Sequence, residues 1–258
     1  GLGTLINKNI SHIKGSYKSP IKWGINLNKE NKKACSYVKG RHFKGLKNVE
    51  SPEWLKKCLV SIGLKPISSL VDLTNFITFD LGRPLHVFDA SKINGDLSIR
   101  MAKQGEQLVA LDGKNYNLNK SILVIADENN PVSIAGVVGG KDSSCDKNTT
   151  EIFIESAYFD PHNIAISGRS LNILSDARYR FERGIDPDYV NKGVDIMTEL
   201  VLDICGGEVS EKEEAGNIEL TKKVIEFDCD KVLQIGGVEI NKTKQKDILL
   251  KLGFEVDS

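Results

Sequence analysis

The sequence predicts an α+β protein, sheet-rich in the middle with flanking helices, followed by a partial small α-rich unit. Three observations predict it. Two segments near residues 51–63 and 186–207 repeat apolar residues at steps of three and four between helix start and stop signals. Between them lie short β-rich runs separated by turn residues, and from about residue 207 the chain turns polar before a third helical pattern opens.

In SPEWLKKCLVSIG, Ser51 is placed to cap, Pro52 suits the first helical position, and Trp54, Leu55, Cys58, Leu59 and Ile62 form a stripe ended by Gly63. The runs DLSIRMA, EQLVALDGKNYNL, SILVIAD, SIAGVVGG and TEIFIESA read as strands, with a tight turn at Asp112-Gly113. In the next helix Asp186 caps and Pro187 starts. Val190, Val194, Met197, Val201 and Ile204 then follow one face to the stop at Gly206-Gly207. EVSEKEEAGNIELTKK reads as a connection or weak hairpin, and a helix from Asn241 towards Gly253 is expected to bury Ile248, Leu249 and Leu252. The expected organisation is a basic connecting segment over 1–34, the sheet-rich domain over 35–206, and a connection with the start of a further helical domain over 207–258.

Composition excludes several classes. No apolar run approaches the roughly 18 residues that span a bilayer, and the start GLGTLINKNI lacks a secretory pattern, so no membrane role and a cytoplasmic setting are expected. The first residue is not Met, which suggests a piece of a longer chain. Five scattered cysteines without a CxxC pair argue against a disulfide framework and a zinc site, so no metal is expected. Net charge is zero, yet residues 1–58 carry 13 Lys/Arg against 3 Asp/Glu. The basic stretch KENKKACSYVKGRHFKGLK is either a solvated lysine face, the commoner case, or a phosphate-binding surface.

Four stretches invite a functional reading beside a plain one. His86, in LGRPLHVFDA, sits among bulky apolar residues and must satisfy both ring nitrogens, as a core histidine or in a pocket. In SIAGVVGG the small residues Ala135, Gly136, Gly139 and Gly140 either form a turn after a buried strand or let a ligand approach the backbone; the spacing is no dinucleotide fingerprint. Period-two alternation puts Glu155 on the face of Phe153, opposite Ile152 and Ile154, either emerging into solvent or aimed at a ligand. RYRFERGIDP alternates charges with Tyr179 and Phe181, as expected of a salt-bridged junction with aromatics on one side, or of a phosphate contact. No catalytic triad, carboxylate pair or nucleophile elbow is visible.

Taken together, SPEWL, SLVDLTNFITFDLGRPLHVFDASKI, LDG, IAGVVGG, IESAYFDP and SDARYRFERGIDP, in this order, resemble the editing region of the bacterial phenylalanyl-tRNA synthetase beta subunit over residues 35–205. VIEFDCDKV and KLGFEV resemble the start of the helical domain that follows it. The resemblance implies hydrolysis of mischarged Tyr-tRNA(Phe) by a positioned water, with no cofactor for this region and ATP and magnesium for the full enzyme. It also implies an alpha subunit as partner in an alpha2 beta2 assembly.

Carried over residue by residue, Glu155 would accept the phenolic O–H of tyrosine and His86 would sit beside the ester. Asn75, Ala135 and Gly139 would shape the cavity, Ser175 and Ala177 its wall, and Lys65 would contact substrate. Two positions depart from the family pattern: Lys65 stands where Arg is usual, which loses a planar fork, and Ser175 where Thr is usual. They leave room for a second reading, a structural and tRNA-binding part whose editing has weakened. A free-standing esterase is the third.

Overall fold

The computed structural model describes residues 10–218 and 224–257. The chain divides into two compact units, 1–218 and 219–258. The first begins with β1 (Trp23–Asn26) and β2 (Cys35–Lys44), then α1 (Glu53–Ser61), α2 (Ser69–Asp80) and β3 (His86–Asp89). A 3₁₀ turn (Ala90–Lys92) leads to β4 (Leu97–Met101), β5 (Gln107–Val109), β6 (Asn115–Asn117), β7 (Leu123–Ala126), β8 (Pro131–Ile134) and β9 (Val138–Gly139). The long β10 (Glu151–Phe159) precedes α3 (Pro161–Ser170), α4 (Asp176–Phe181), α5 (Tyr189–Cys205) and β11 (Glu208–Gly216).

Two sheets carry the unit. A five-stranded sheet runs β1-β4-β7-β8-β9, and a four-stranded antiparallel sheet runs β11-β2-β10-β3, with β5 and β6 as a separate hairpin. Alternation along β10 divides the core. Phe153, Ala157 and Phe159 join Val38, Phe88 and the strands of the five-stranded sheet, while Ile152 and Ile154 join Phe43, Val87 and the apolar faces of α1, α2 and α5. The four-stranded sheet is thus buried on both faces, with the other sheet on one side and helices on the other.

The α+β class is what the structure shows, with differences in detail. SLVDLTNFITFD is helix α2: its β-branched residues disfavour helix, but Leu70, Leu73 and Ile77 at helical spacing are fully buried against the sheet, and packing decides. The buried Asp72 there accepts from Ser51 Oγ (2.5 Å) and the Ile67 amide (2.8 Å), so Ser51 serves α2 while Pro52 holds the cap position of α1. Trp54, Cys58 and Ile62 are exposed, and α1 buries only Leu55 and Leu59. RYRF is not an alternating strand. It belongs to α4, capped by Ser175 Oγ, which accepts from the Arg178 amide (3.1 Å), and braced by an Arg178–Glu182 pair (3.0 Å) one turn apart.

The stretch expected to be a connection or weak hairpin, EVSEKEEAG, is strand β11. Its acidic residues meet the basic β2 in register, Glu208 beside Lys44 (3.6 Å) and Glu214 beside Lys39 (2.8 Å). The N-terminal segment is likewise part of this unit: β1 pairs with β4, Tyr17 Oη bonds His42 Nδ1 (2.9 Å), and Arg41 donates to the Ile13 carbonyl (2.6 Å). The compact unit is therefore wider at both ends than residues 35–206.

In the second unit, α6 spans Asp230–Gly236 and α7 Lys242–Lys251, with Asn241 Oδ1 accepting from the Lys244 amide (2.8 Å). The expected burial of Ile248 and Leu252 does not occur; they are 38% and 68% exposed, and Leu249 is half-buried. Gln245 is the buried position of α7, donating to the Ile240 carbonyl (2.6 Å). Two short helices leave too few neighbours within this unit to cover an aliphatic face.

A buried carboxylate and imidazole as the candidate functional site

Glu155 does not emerge into solvent. It lies at the middle of β10, only 5% exposed, paired across the sheet with His86 on β3 and with Gly40 on β2. Directly opposed residues of neighbouring strands share a face, so carboxylate and imidazole stand side by side on the side of Phe153 and Phe88. The His86 ring packs edge-on to Phe88, with centroids 4.5 Å apart. From the facing sheet, Gly139 of β9 closes on the imidazole so tightly that a Cβ there would collide with His86 Cε1. Glycine is required by that close approach.

Buried polar atoms left without partners collect on this side of β10. They are Glu155 Oε1, His86 Nε2, Arg83 Nε and Nη1, and Trp23 Nε1. Trp23 closes the site near Gly40, where a Cβ would collide with its indole nitrogen. Buried groups of this kind are ordinarily paired, so their concentration on this side of β10 makes it the candidate site.

The charges follow from burial. Desolvation pushes the Glu155 carboxyl up to about 7, against the pull of Arg83. Burial lowers His86 to about 4, leaving a neutral imidazole at physiological pH, and lowers Arg83 to about 10, so the guanidinium stays charged. Cys35, fully buried nearby, has its thiol pushed up by burial and by Glu155. So weakly basic an imidazole is a poor proton acceptor, and the arrangement suits holding and orienting polar groups more than strong base catalysis.

The residues singled out by sequence divide into three sets. His86, Glu155 and Gly139 come together as described. Ala135 is fully buried beside the β8–β9 turn, where Gly136 has φ +66°. Ser175 ties α4 to that hairpin, its hydroxyl donating to the Val137 carbonyl (2.6 Å), and Ala177 packs half-buried against the same core. Asn75 is half-buried on α2, whose buried stripe enters the other core, and Lys65 is exposed in the loop between α1 and α2. Neither side chain has a hydrogen bond or ion pair among the described residues, with Glu155 or any other group. Sequence reading missed Trp23, Gly40 and Arg83. Arg83 stood in the quoted stretch LGRPLHVFDA beside His86.

A cleft of about 320 Å³ lies elsewhere, lined by Lys92, Asn94, Asp127 and Asn130 among others, and includes neither His86 nor Glu155. Among the described residues no group of three or more His, Cys, Asp or Glu could hold a metal ion, and no helix is long and apolar enough to cross a membrane.

A two-sheet α+β unit with a buried carboxylate–imidazole pair between its layers is the class of protein that fold and site define. The chain belongs to the B3/4 domain family, whose model matches residues 34–206. It is 47% identical over 256 residues to the phenylalanine–tRNA ligase beta subunit of Paramagnetospirillum magneticum, a match covering 99% of this chain and 32% of that protein. It is 48% identical over 255 residues to the beta subunit of Mesorhizobium japonicum, covering 99% and 31%. The chain thus spans about a third of the length of these relatives. An N-terminal fragment of the phenylalanyl-tRNA synthetase beta subunit from Pyrococcus horikoshii shares the fold, with a TM-score of 0.51 at 14% identity, covering 95% of this chain and 68% of that one.

Proposed function

We propose that this chain is the editing region of a phenylalanyl-tRNA synthetase beta subunit and hydrolyses the ester of mischarged Tyr-tRNA(Phe). The observation that carries the reading is the register pairing of Glu155 with His86, each with a buried polar atom awaiting a partner. The need is physical: a hydrophobic pocket made for phenylalanine discriminates only about 100-fold against an isostere with one added hydroxyl. A second site that requires the hydroxyl supplies the rest. Glu155 accepts the phenolic hydrogen, a charge-assisted bond worth roughly 1.5–3 kcal/mol. His86, neutral and held against Gly139, orients the terminal adenosine or the attacking water.

On this reading aminoacylation belongs elsewhere in the complete enzyme. That enzyme uses ATP and magnesium, assembles with an alpha subunit and works in the cytoplasm; this region needs no cofactor. The rival, a tRNA-binding part with weakened editing, draws on the departures at Lys65 and Ser175. Ser175 keeps the hydroxyl that bonds Val137, and Lys65 is exposed without a polar partner among the described residues, which gives the rival little support.

Deacylation of Tyr-tRNA(Phe) and Phe-tRNA(Phe) by the complete ligase tests both readings. Wild type should prefer the tyrosyl ester, and Glu155→Ala should abolish the preference and slow hydrolysis. Unchanged tyrosyl hydrolysis in that variant would remove Glu155 from the site.

A further inference from the structure

We propose that Arg83 is a specificity-determining residue of this pocket, donating a hydrogen bond to the same phenolic oxygen whose hydrogen Glu155 accepts. The inference rests on the tyrosine-recognition reading above and adds a residue to it.

Arg83 lies in the loop between α2 and β3, after Gly82 and before Pro84, and is among the most buried side chains of the protein at 1% exposure. Its stem passes α5 where only glycine leaves room without pressure: a Cβ on Gly193 would sit 3.1 Å from Arg83 Cγ. The guanidinium ends against the Phe181 ring, 5.7 Å from its centroid, and Nη2 donates to the Ala157 carbonyl on β10. That one bond fixes the side chain. Two donors, Nε and Nη1, remain buried and unpaired.

Anchoring alone does not explain a guanidinium here. A buried cation with two free donors is costly, and the charge cannot be shed, since an arginine stays protonated at neutral pH. The opposite charge acting on it most strongly is Glu155, two residues along β10 from Ala157. Each feels the other electrostatically, yet no direct ion pair within 4.0 Å joins them among the described residues. Cys35 and Asp186 also act on the guanidinium, but Cys35 spends its thiol on the Tyr37 carbonyl (3.5 Å).

A free acceptor and free donors of opposite charge, near each other but not touching, are matched by an atom that donates once and accepts as well. A phenolic oxygen does this, with one hydrogen for Glu155 and lone pairs for Arg83. Phe88, Phe153 and Phe181 belong to the core cluster on this side of β10 and suit the ring that carries it. Phenylalanine would leave both charged groups unpaired, and that asymmetry is what lets a site built for a hydroxyl reject the analogue lacking it.

The test is single-turnover deacylation of Tyr-tRNA(Phe) and Phe-tRNA(Phe) by the complete ligase carrying wild type, Arg83→Met, Arg83→Lys or Glu155→Ala. Arg83→Met should lower the tyrosine-over-phenylalanine ratio at least tenfold, and Arg83→Lys, which keeps charge but loses the fork, should fall between. An unchanged ratio in Arg83→Met, or equal losses on both esters, overturns the proposal, because a merely structural arginine affects both substrates alike. Should Arg83→Met fail to fold, the lysine variant decides: a lowered ratio supports the role and a wild-type ratio overturns it. The editing reading fails separately: it stands if Glu155→Ala abolishes the preference while Arg83 variants keep it, and falls, with this proposal, if wild type shows no preference.

Discussion

Glu155 and His86 are perturbed in opposite senses by the same cause, and the signs give a pH test. The Glu155 carboxyl is raised from its ordinary value to about 7, so the folded state holds its proton more tightly than the unfolded chain. Its contribution is complete below about pH 4.5 and is lost as pH rises through about 7. His86 is lowered to about 4, so its contribution is present above its ordinary value of 6.5 and is lost as pH falls towards 4. Glu155→Gln cannot ionise. It should therefore gain stability over wild type as pH rises from about 5 to about 8, by an amount on the order of 3 kcal/mol at the top of that range, read from urea midpoints at each pH. A constant difference across the range would mean the carboxyl is not buried as described. Gly139→Ala drives a methyl group into the imidazole and should slow deacylation at least tenfold while costing about 1–3 kcal/mol of stability. Wild-type activity in that variant would separate His86 from the chemistry. At this scale the sequence disclosed that Glu155 shares a face with Phe153. It did not disclose that this face is covered, because the covering sheet is assembled from β1, β4, β7, β8 and β9, distant in the chain.

Ser175 links two elements: it caps α4 and binds the Val137 carbonyl of the β8–β9 hairpin. Ser175→Ala should cost about 1 kcal/mol for the cap, and more if the buried carbonyl is stranded, whereas Ser175→Thr should be nearly neutral. Chemical denaturation of the three forms checks this, and equal stability of the alanine variant would sink it. Elements whose signals are local were legible in the sequence. The α5 stripe of Val190, Val194, Met197 and Val201 is fully buried, although Ile204 at its end is half-buried and the helix starts at Tyr189 rather than Pro187; strands β4, β7 and β10 fall where periodicity put them. The helices α2 and α4 and strand β11 were not. A β-branched helix is stabilised by the sheet beneath it, a charged alternation winds into a helix once Ser175 caps it, and an acidic strand needs its basic neighbour to be a strand at all.

Across the whole chain, the excess of basic residues in the first 58 reads differently once β2 and β11 are paired. Lys39 and Lys44 face Glu214 and Glu208 across the sheet and are partly neutralised there. Lys29, Lys32, Lys33 and Lys47 take no part in an ion pair among the described residues. If the segment 29–47 meets tRNA, replacing these four lysines with alanine should weaken binding and flatten its salt dependence, by up to about 0.7–0.9 in slope for each phosphate left without its lysine. Replacing Lys39 and Lys44 should instead cost less than about 1 kcal/mol of stability apiece. Affinity that ignores all four substitutions would make the segment an ordinary solvated surface.

The sequence by itself determined the α+β class, the positions though not the caps of the strongest helices, the strongest strands, the side of β10 on which Glu155 points and the family it resembles, because periodicity and motif strings are local properties of the chain. Only the tertiary structure decided that His86 is the cross-strand neighbour of Glu155, that Gly139 closes on the imidazole, and that Arg83 and Trp23 leave buried polar atoms beside them. The reason is that register and sheet-on-sheet packing join residues tens of positions apart, and burial, which sets the charge of every group in the site, exists only once both layers are in place.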